Sequence, residues 1–543
     1  MIIFAASIFL SAFLLFQIQP MVGKLILPWF GGTPAVWSTV MLFFQVLLTG
    51  GYAYAYWLIG RLRTQRQWII HSALVASALI LLVLLAFVWT SPITPGSSWR
   101  PRDAGSPILD IFKLLMVSVG LPYFILASNG PLMQSWFSRL YPERSYARLY
   151  ALSNAGSLLG LLAYPILIEP FLSLRLQGWV WSAGFALFGL LAVWIAARSG
   201  RTDPSADCLS RLPLRKLHKD RPSLALSSLW IALSATASLF LLSVTNQITQ
   251  EVAVIPFLWV LPLALYLLSF ILAFSGEHGY PRRFYAILFI VSAGLTVFVM
   301  LGATSLHVYW QVLAYGLLLF AACMLCHGEL YLLRPAAPYL TTFYLMVSIG
   351  GAVGGIFVSL IAPLIFDGYR EFFVGLAMTL VVFLMVVRER QYGDVSARAR
   401  FVFRVFVLVT VMLSILDIFF SGALYSERNF YGVLRVRETV PEGSTERACL
   451  LSHGITVHGL QFIDPQLRDT PTTYYVEGSG AGLAILNHPR YGRGQRVGML
   501  GVGVGTLAAY GQPGDTYRLY EINPEVVALA EGQGGYFSFV GDS

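Results

Sequence analysis

Along most of this chain the apolar positions form long, nearly unbroken runs rather than the short periodic stripes of a soluble fold. Such runs lie at roughly 2–19, 36–60, 68–90, 111–137, 149–168 and 178–197, and again at roughly 224–246, 253–274, 284–304, 308–328, 339–366 and 372–387. Each is long enough to cross about 30 Å of hydrocarbon as a helix. Between the two sets runs RSGRTDPSADCLSRLPLRKLHKDRPS, which carries seven Lys or Arg. A thirteenth, weaker run at 405–421 contains Asp417. The pattern predicts six spans, a basic linker, six more spans and one extra hydrophobic segment.

From about Tyr425 the character changes. Charge, Gly and Pro rise, and short β-type runs appear at FYGVLRVRE, GITVHGLQFI and TTYYVEG. RVGMLGVG then reads as a buried strand, GTLAAYG as a short helix, YRLYEINP as a second strand and EVVALAEG as a second helix. The chain thus divides into a first six-span half (1–200), a linker (201–223), a second half (224–388), a linker with the extra segment (389–424), a β-rich segment (425–490) and an α/β segment (491–543).

The two halves share a pattern. Tyr150 is followed by Gly156 and Gly160, and Tyr344 by Gly350 and Gly354; both read Y-x5-G-x3-G, 194 residues apart. Glycines four apart on one helical face let a neighbouring helix approach closely. Small-xxx-small pairs also arise by chance in apolar helices, but their equivalent positions favour a duplication.

Composition agrees with a polytopic membrane protein. Hydrophobic residues make up 57% and charged residues only 12%, about half the charge of an average soluble chain. The net charge of +9 points away from nucleic acid, because the basic residues cluster in short loops. Segments 61–67, 139–148, 198–221, 282–283, 334 and 388–404 hold 21 Lys or Arg, against six in the alternate set. That bias places the N-terminus in the cytoplasm. It leaves the side of the C-terminal segment open, since that depends on whether 405–421 spans. MIIFAASIFLSAFLLFQIQP, with no basic n-region and no cleavage site, reads as a retained first span. Four cysteines (Cys208, Cys323, Cys326 and Cys449) are too few and scattered for a disulfide framework.

Two stretches suggest chemistry. Cys323-Met-Leu-Cys326-His327 matches the C-x-x-C-H of haem attachment, but it sits in an apolar helix that attachment machinery could not reach. No metal site is expected. His327 and Glu329 are expected either to be functional, because ionisable groups at membrane depth are costly, or to lie at the interface. In the tail, Gly501, Gly503 and Gly505 follow a strand and precede a helix, and Glu521 ends the next strand. That arrangement suits a nucleotide: glycines admit the backbone close to a ligand, and the carboxylate accepts ribose hydroxyls. Thr506 stands where a dinucleotide fingerprint wants its third glycine, so the spacing favours an S-adenosylmethionine-type ligand over NAD.

LSHGITVHGLQFIDPQLRDTPTTYYVEGSGAGLAI, followed by RVGMLGVGVGTLAAY and YRLYEINPEVVALA, resembles the spermidine synthase (polyamine aminopropyltransferase) family. With FLLFQIQPMVGKLILPWFGGTPAVWSTVMLFFQ and CHGELYLLRPAAPYLTTFYLMVSIGGAVGG, nearly the whole chain resembles the fused major-facilitator/spermidine synthase proteins. The resemblance implies a membrane bundle followed by a small β segment and an incomplete Rossmann-like domain of the methyltransferase type. It implies decarboxylated S-adenosylmethionine (or S-adenosylmethionine) as donor substrate, no tightly bound cofactor, and a putrescine-like polyamine acceptor. Carried over by position, Gly501, Gly503 and Gly505 line the donor, Glu521 holds its ribose, Gln461 contacts it, and Asp542 of Val540-Gly541-Asp542 accepts from the adenine amine. Tyr474 or Tyr475 falls near the acceptor. The family's catalytic Asp belongs beyond Ser543, so the resemblance assigns no catalytic residue within this chain.

The main expectation is therefore a multi-pass protein of the cell membrane with a spermidine synthase-like domain linked to polyamine biosynthesis, inactive as written. Its alternatives are a major-facilitator-like transporter, or a non-catalytic membrane protein that senses an adenosyl ligand.

Overall fold

The computed structural model describes residues 1–101, 105–141, 143, 147–200, 222–251, 256–276, 279–301, 306–335, 339–389, 422–454 and 456–542. Most of the basic linker, with Cys208, and the run at 405–421, with Asp417, lie outside these residues. The chain separates into two compact units, a helical bundle and a C-terminal unit.

In the bundle, the first half comprises α1 (Ile2–Phe30), α2 (Pro34–Arg61), α3 (Thr64–Val88), α4 (Pro107–Leu140), α5 (Ala147–Ala163, continued by a wide turn at Tyr164–Ile168) and α6 (Leu174–Gly200). The second half comprises α7 (Leu224–Glu251), α8 (Pro256–Phe274), α9 (Arg282–Leu301), α10 (Val308–Leu332), α11 (Leu340–Ile365) and α12 (Glu371–Glu389). Among the described residues ten helices are long and apolar enough to cross a membrane, and two shorter apolar helices lie at Leu258–Phe274 and Glu371–Val386. The chain is thus a polytopic helical membrane bundle, as its apolar runs predict.

Prolines shape these helices without ending them. α4 and α11 each contain one π turn, at Met116–Gly120 and Phe357–Ile361. The prolines that follow, Pro122 and Pro363, cannot donate to the carbonyl four residues earlier, and that carbonyl (Ser118, Ser359) falls within the wide turn. Inside lipid such a turn is tolerated because the freed groups find partners within the protein.

The glycine repeat has a physical cause in both halves. A Cβ on Gly156 would lie 2.7 Å from the Phe9 carbonyl oxygen, and one on Gly160 would lie 2.3 Å from that of Phe13. In the second half Gly350 and Gly354 meet the carbonyl oxygens of Ile231 and Ala235 at 2.5 and 2.4 Å. Each pair therefore presses its helix, α5 or α11, backbone to backbone against the first helix of its own half, α1 or α7. On α7, Ser234 and Ser238 also donate hydrogen bonds to the Val347 and Gly351 carbonyls of α11, at 2.6 and 2.9 Å.

The C-terminal unit holds a four-stranded antiparallel sheet in the order β1 (Ala423–Asn429), β2 (Gly432–Thr439), β3 (Ala448–His453) and β4 (Thr456–Phe462). A separate parallel pair joins β5 (Arg496–Leu500) to β6 (Thr516–Tyr520). Short helices lie at α13 (Gly480–Leu486), α14 (Pro524–Ala530) and α15 (Phe539–Asp542). Leu434, Val436, Cys449 and Leu451 of the sheet pack with Val504, Val526, Leu529, Phe537 and Phe539 as one core.

Two expectations change here. TTYYVEG is not a strand: Thr473–Tyr475 forms a 3-10 turn, with Thr473 at φ 57°. Its aromatic and β-branched residues suit a pleated, half-buried surface, but this segment finds no ladder partner. GTLAAYG forms a short helix, as expected, of the 3-10 type at Thr506–Tyr510. The expected Rossmann-like domain is not shown: the described residues hold only two parallel strands with short helices, too few strands for a doubly wound sheet.

Candidate functional site

A cavity of about 260 Å³ lies in the bundle where the two halves meet. α1, α2, α4 and α5 line it from one half, and α7, α8 and α11 from the other. Its wall mixes aromatic rings (Phe16, Phe44, Tyr52, Tyr123, Tyr266, Tyr344) with hydroxyls and carboxamides (Ser11, Gln19, Gln45, Asn154, Ser234, Ser348). Among the described residues, no Asp, Glu, Lys, Arg or His lines it. Gln19 donates to the Tyr123 hydroxyl at 3.2 Å, and Gln45 donates across the halves to Ser238 Oγ at 2.9 Å. Each leaves its own carboxamide oxygen without a partner.

One end of this cavity is shut by contacts between the halves. At the start of α2, Trp37 stacks on Trp259 of α8 with ring centroids 4.9 Å apart. Ser38 donates to Asn246 Oδ1 of α7 at 2.7 Å, and its carbonyl accepts from Ser359 of α11 at 3.1 Å. Gly23 of α1 faces both tryptophans, with room for a Cβ only 3.3 Å from the Trp37 ring. The cavity extends from this seal toward the other end, reaching Ser153 early in α5 and Tyr344 early in α11.

Behind the cavity wall stand the ionisable groups singled out on α10. His327 is buried, its Nδ1 2.9 Å from Ser269 Oγ, with its ring edge-on to Tyr266 and Phe270. Glu329 is wholly buried and takes both Nε and Nη2 of Arg282 at 2.6 Å, together with the Tyr280 hydroxyl at 3.0 Å. This bidentate pair closes the loop between α8 and α9 onto the end of α10. Cys323 and Cys326 are buried thiols. Among the described residues no group of three or more His, Cys, Asp or Glu could hold a metal ion.

In the C-terminal unit, of the residues singled out in sequence, Glu521 meets the glycine loop, and the others have partners of their own. Gly501, Gly503 and Gly505 all have left-handed φ, at 88°, 58° and 83°. Two of them are also required by packing: a Cβ on Gly503 would lie 2.5 Å from the His458 carbonyl oxygen, and one on Gly505 would lie 2.5 Å from Val540. The site around Gly501 is open. Glu521 reaches back to the glycine loop. It accepts from the Val502 amide at 3.0 Å, and from the amides of Ile522 and Asn523 at 2.8 and 3.0 Å. Gln461 holds Ser538 through both ends of its carboxamide, at 3.0 and 2.7 Å, and also donates to the Arg468 carbonyl. Asp542 pairs with Arg468 at 3.3 Å. Tyr474 is exposed and donates to the Val457 carbonyl at 3.3 Å, while the Tyr475 carbonyl accepts from the Tyr510 hydroxyl at 2.6 Å. Burial, with help from Tyr474, pushes the Tyr475 hydroxyl up to about 12. His453 and His458 face each other with rings 5.6 Å apart, and burial holds both below the usual imidazole value despite nearby Glu521.

No known family's sequence profile matches the chain, and no curated protein does. Solved structures do. A nucleoside transporter, NupG, matches over 71% of this chain and 98% of its own, at 12% identity and a TM-score of 0.44. A D-xylose-proton symporter matches over 71% and 96%, at 14% identity and 0.43. A bacterial homologue of the human lysosomal transporter Spinster, inward-facing and unoccupied, matches over 77% and 94%, at 15% identity and 0.42. All three of these solved structures are of transporters or, in the third, a homologue of one. The expectation of a spermidine synthase-like transferase linked to polyamine biosynthesis is corrected here: these similar structures are transporters, and no spermidine synthase fusion is shown.

The cavity residues do not stand out in the sequence. Gln19, Gln45 and Asn154 are visible there only as carboxamides inside apolar runs, which is costly in lipid unless they face protein or a cavity. His458 carries no signal of its own, because only the fold brings it beside His453.

Proposed function

We propose that the bundle is a transporter that moves a small solute through the cavity between its two six-helix halves. The observation that carries this reading is the cavity itself: both halves line it, and contacts between the halves, Trp37 on Trp259 and Ser38 on Asn246, shut it at one end. Opening that end and closing the other exposes one site to each side of the membrane in turn. The loop charge bias supports a cytoplasmic N-terminus, which puts the seal on the outer side and the cavity's longer reach on the inner side. The test is a distance measurement. Spin labels at Ser98, after α3, and Tyr309, at the start of α10, sit at the sealed end of opposite halves. A transporter gives two distance populations by pulsed electron resonance, and a disulfide between Ser38→Cys and Asn246→Cys leaves only the shorter. A single population unaffected by the disulfide would sink the proposal.

For the C-terminal unit the reading carried forward is the narrower alternative, an adenosyl-ligand cradle at Gly501, Gly503, Gly505 and Glu521, with Gln461 and Asp542 bordering it and Tyr474 and Tyr475 beside it. Three left-handed glycines and a carboxylate gathered at one loop support it. S-adenosylmethionine binding to the full chain, weakened by Glu521→Ala, is the expected result; binding unchanged by that substitution removes the site.

A further inference from the structure

We infer that the exposed face of the β5–β6 pair docks the C-terminal unit onto an anionic lipid surface. Its apolar end enters the membrane interface, and its basic end meets the phosphate headgroups. The inference goes beyond the transporter and adenosyl readings and depends on neither.

The register defines the face. Arg496 stands beside Thr516, Gly498 beside Arg518 and Leu500 beside Tyr520. Side chains alternate along a strand, so these six positions share one side of the pair, and all six are exposed. The positions between them, Val497, Met499, Tyr517 and Leu519, are half-buried. Parallel strands are ordinarily covered on both faces, so an exposed face on such a pair asks for a partner.

The face is graded from end to end. At its first end stands Arg496, and exposed Arg490 and Arg493 precede it in a loop. That loop lies against the turn before β6, where a Cβ on Gly494 would be 3.6 Å from the Gly514 carbonyl oxygen. Asp515 in the same turn directs its carboxylate to the amides of Gln495 and Gln512. Arg518 stands mid-face beside Gly498, where an added Cβ would meet nothing within 4 Å, so its guanidinium has room to swing. At the far end Leu500 is 90% exposed and Tyr520 50%, and Ile522, just beyond β6, is 47% exposed. The two ends are about 13 Å apart along the strands.

A lipid surface matches this gradient. Leucine and isoleucine gain by leaving water, and tyrosine suits the headgroup level, where its ring and hydroxyl are both satisfied. The arginine fork fits phosphate oxygens, and its long stem lets the charge stay at the headgroups while the apolar end goes deeper. A second protein could also supply negative charge and apolar surface. The bilayer has the advantage of proximity: the chain ties this unit to a bundle that sits in it, so lipid is present at high effective concentration. Each arginine near an anionic surface then adds its own share of the attraction.

The test uses the purified full chain in vesicles of phosphatidylcholine, with or without phosphatidylglycerol. Cys208, Cys323, Cys326 and Cys449 are replaced by serine, and Thr516→Cys carries a fluorescent label on the exposed face. Lipid with a nitroxide on its headgroup should quench that label when phosphatidylglycerol is present. A label at Thr445→Cys, an exposed position between β2 and β3, should stay bright. Arg496→Gln and Arg518→Gln should each weaken docking about fivefold, and both together about thirtyfold. Leu500→Asp should weaken it as well, and high salt should release the label from the quencher. Equal quenching in phosphatidylcholine alone, no quenching in either vesicle, or indifference to both arginine changes overturns the inference. Disulfide capture of Thr516→Cys by the same residue of a second chain, in place of quenching, also overturns it and gives the face to a second copy.

Discussion

Adding a single methyl group at Gly160 or Gly354 is expected to loosen the bundle, although alanine is normally the better helix former. The Cβ of Gly160→Ala would sit 2.3 Å from the Phe13 carbonyl oxygen and 2.9 Å from its Cα. That of Gly354→Ala would sit 2.4 Å from the Ala235 oxygen and 2.8 Å from the Leu239 amide nitrogen. Each of these obstacles is backbone, so no side chain can swing aside. Restoring ordinary contact near 3.4 Å requires α5 to move from α1, or α11 from α7, by about 1 Å, and a gap of that size forfeits up to about half of each displaced dispersion contact. Overpacking of this kind costs about 1–3 kcal/mol. Against it stands the gain from replacing glycine inside a helix, about 0.5–1 kcal/mol. The net loss centres on about 1 kcal/mol in each half and reaches at most about 2.5 kcal/mol. At Gly60 of α2 and Gly294 of α9 an added methyl would meet nothing within 4 Å, so alanine there keeps only the gain. Thermal unfolding of the detergent-solubilised chain can be followed by a thiol-reactive fluorophore at buried Cys323 and Cys326, with Cys208 and Cys449 replaced by serine. Gly160→Ala and Gly354→Ala should lower the midpoint by similar amounts, while Gly60→Ala and Gly294→Ala leave it level or raise it. If the first pair is as stable as the unaltered protein, or if its two members shift in opposite directions, the backbone-contact argument is refuted.

Glu329→Gln should destabilise the second half by about 3 kcal/mol, because it leaves the partly buried Arg282 without its counter-charge; the double change Arg282→Met with Glu329→Leu should recover most of the loss in the same unfolding assay. In the C-terminal unit, burial holds His453 and His458 below the usual imidazole value. The unfolded chain therefore takes up more protons than the folded one as pH falls through about 6.5. The unit's stability is fully present above that pH and declines below it, so hydrogen exchange in β3 and β4, corrected for intrinsic rates, should speed up at pH 5.5 relative to pH 7.5. His458→Asn should flatten that dependence, and an identical dependence after the substitution would assign it to other groups.

The bundle is legible in the sequence because a lipid environment writes its demand locally: each span needs its own unbroken apolar run, and the basic loops punctuate them. The glycine repeat is legible for the same reason, since close approach needs Gly at fixed spacing. The cavity is not. Gln19, Gln45 and Tyr344 meet only when two halves that are far apart in sequence come together, and no local pattern tells a cavity-facing carboxamide from one buried between helices. In the C-terminal unit, strands, turns and the Asn523 cap before α14 follow from local residue preferences. What Gln461 binds does not, because Ser538 lies 77 residues away. The functional side of the resemblance to aminopropyltransferases rests on the tail's residues, whereas the cavity and the seal belong to the helices before it.

The most direct test of the central claim asks from which side the cavity can be reached. Ser348 lines it and is small and buried, so Ser348→Cys, in a chain whose Cys208, Cys323, Cys326 and Cys449 are replaced, puts a single thiol at the site. A membrane-impermeant thiol reagent is then added to sealed right-side-out and inverted vesicles. The account predicts labelling from both sides, with one side lost when a Ser38→Cys/Asn246→Cys disulfide holds the seal shut. Labelling from one side alone without that disulfide, or from neither, would contradict it.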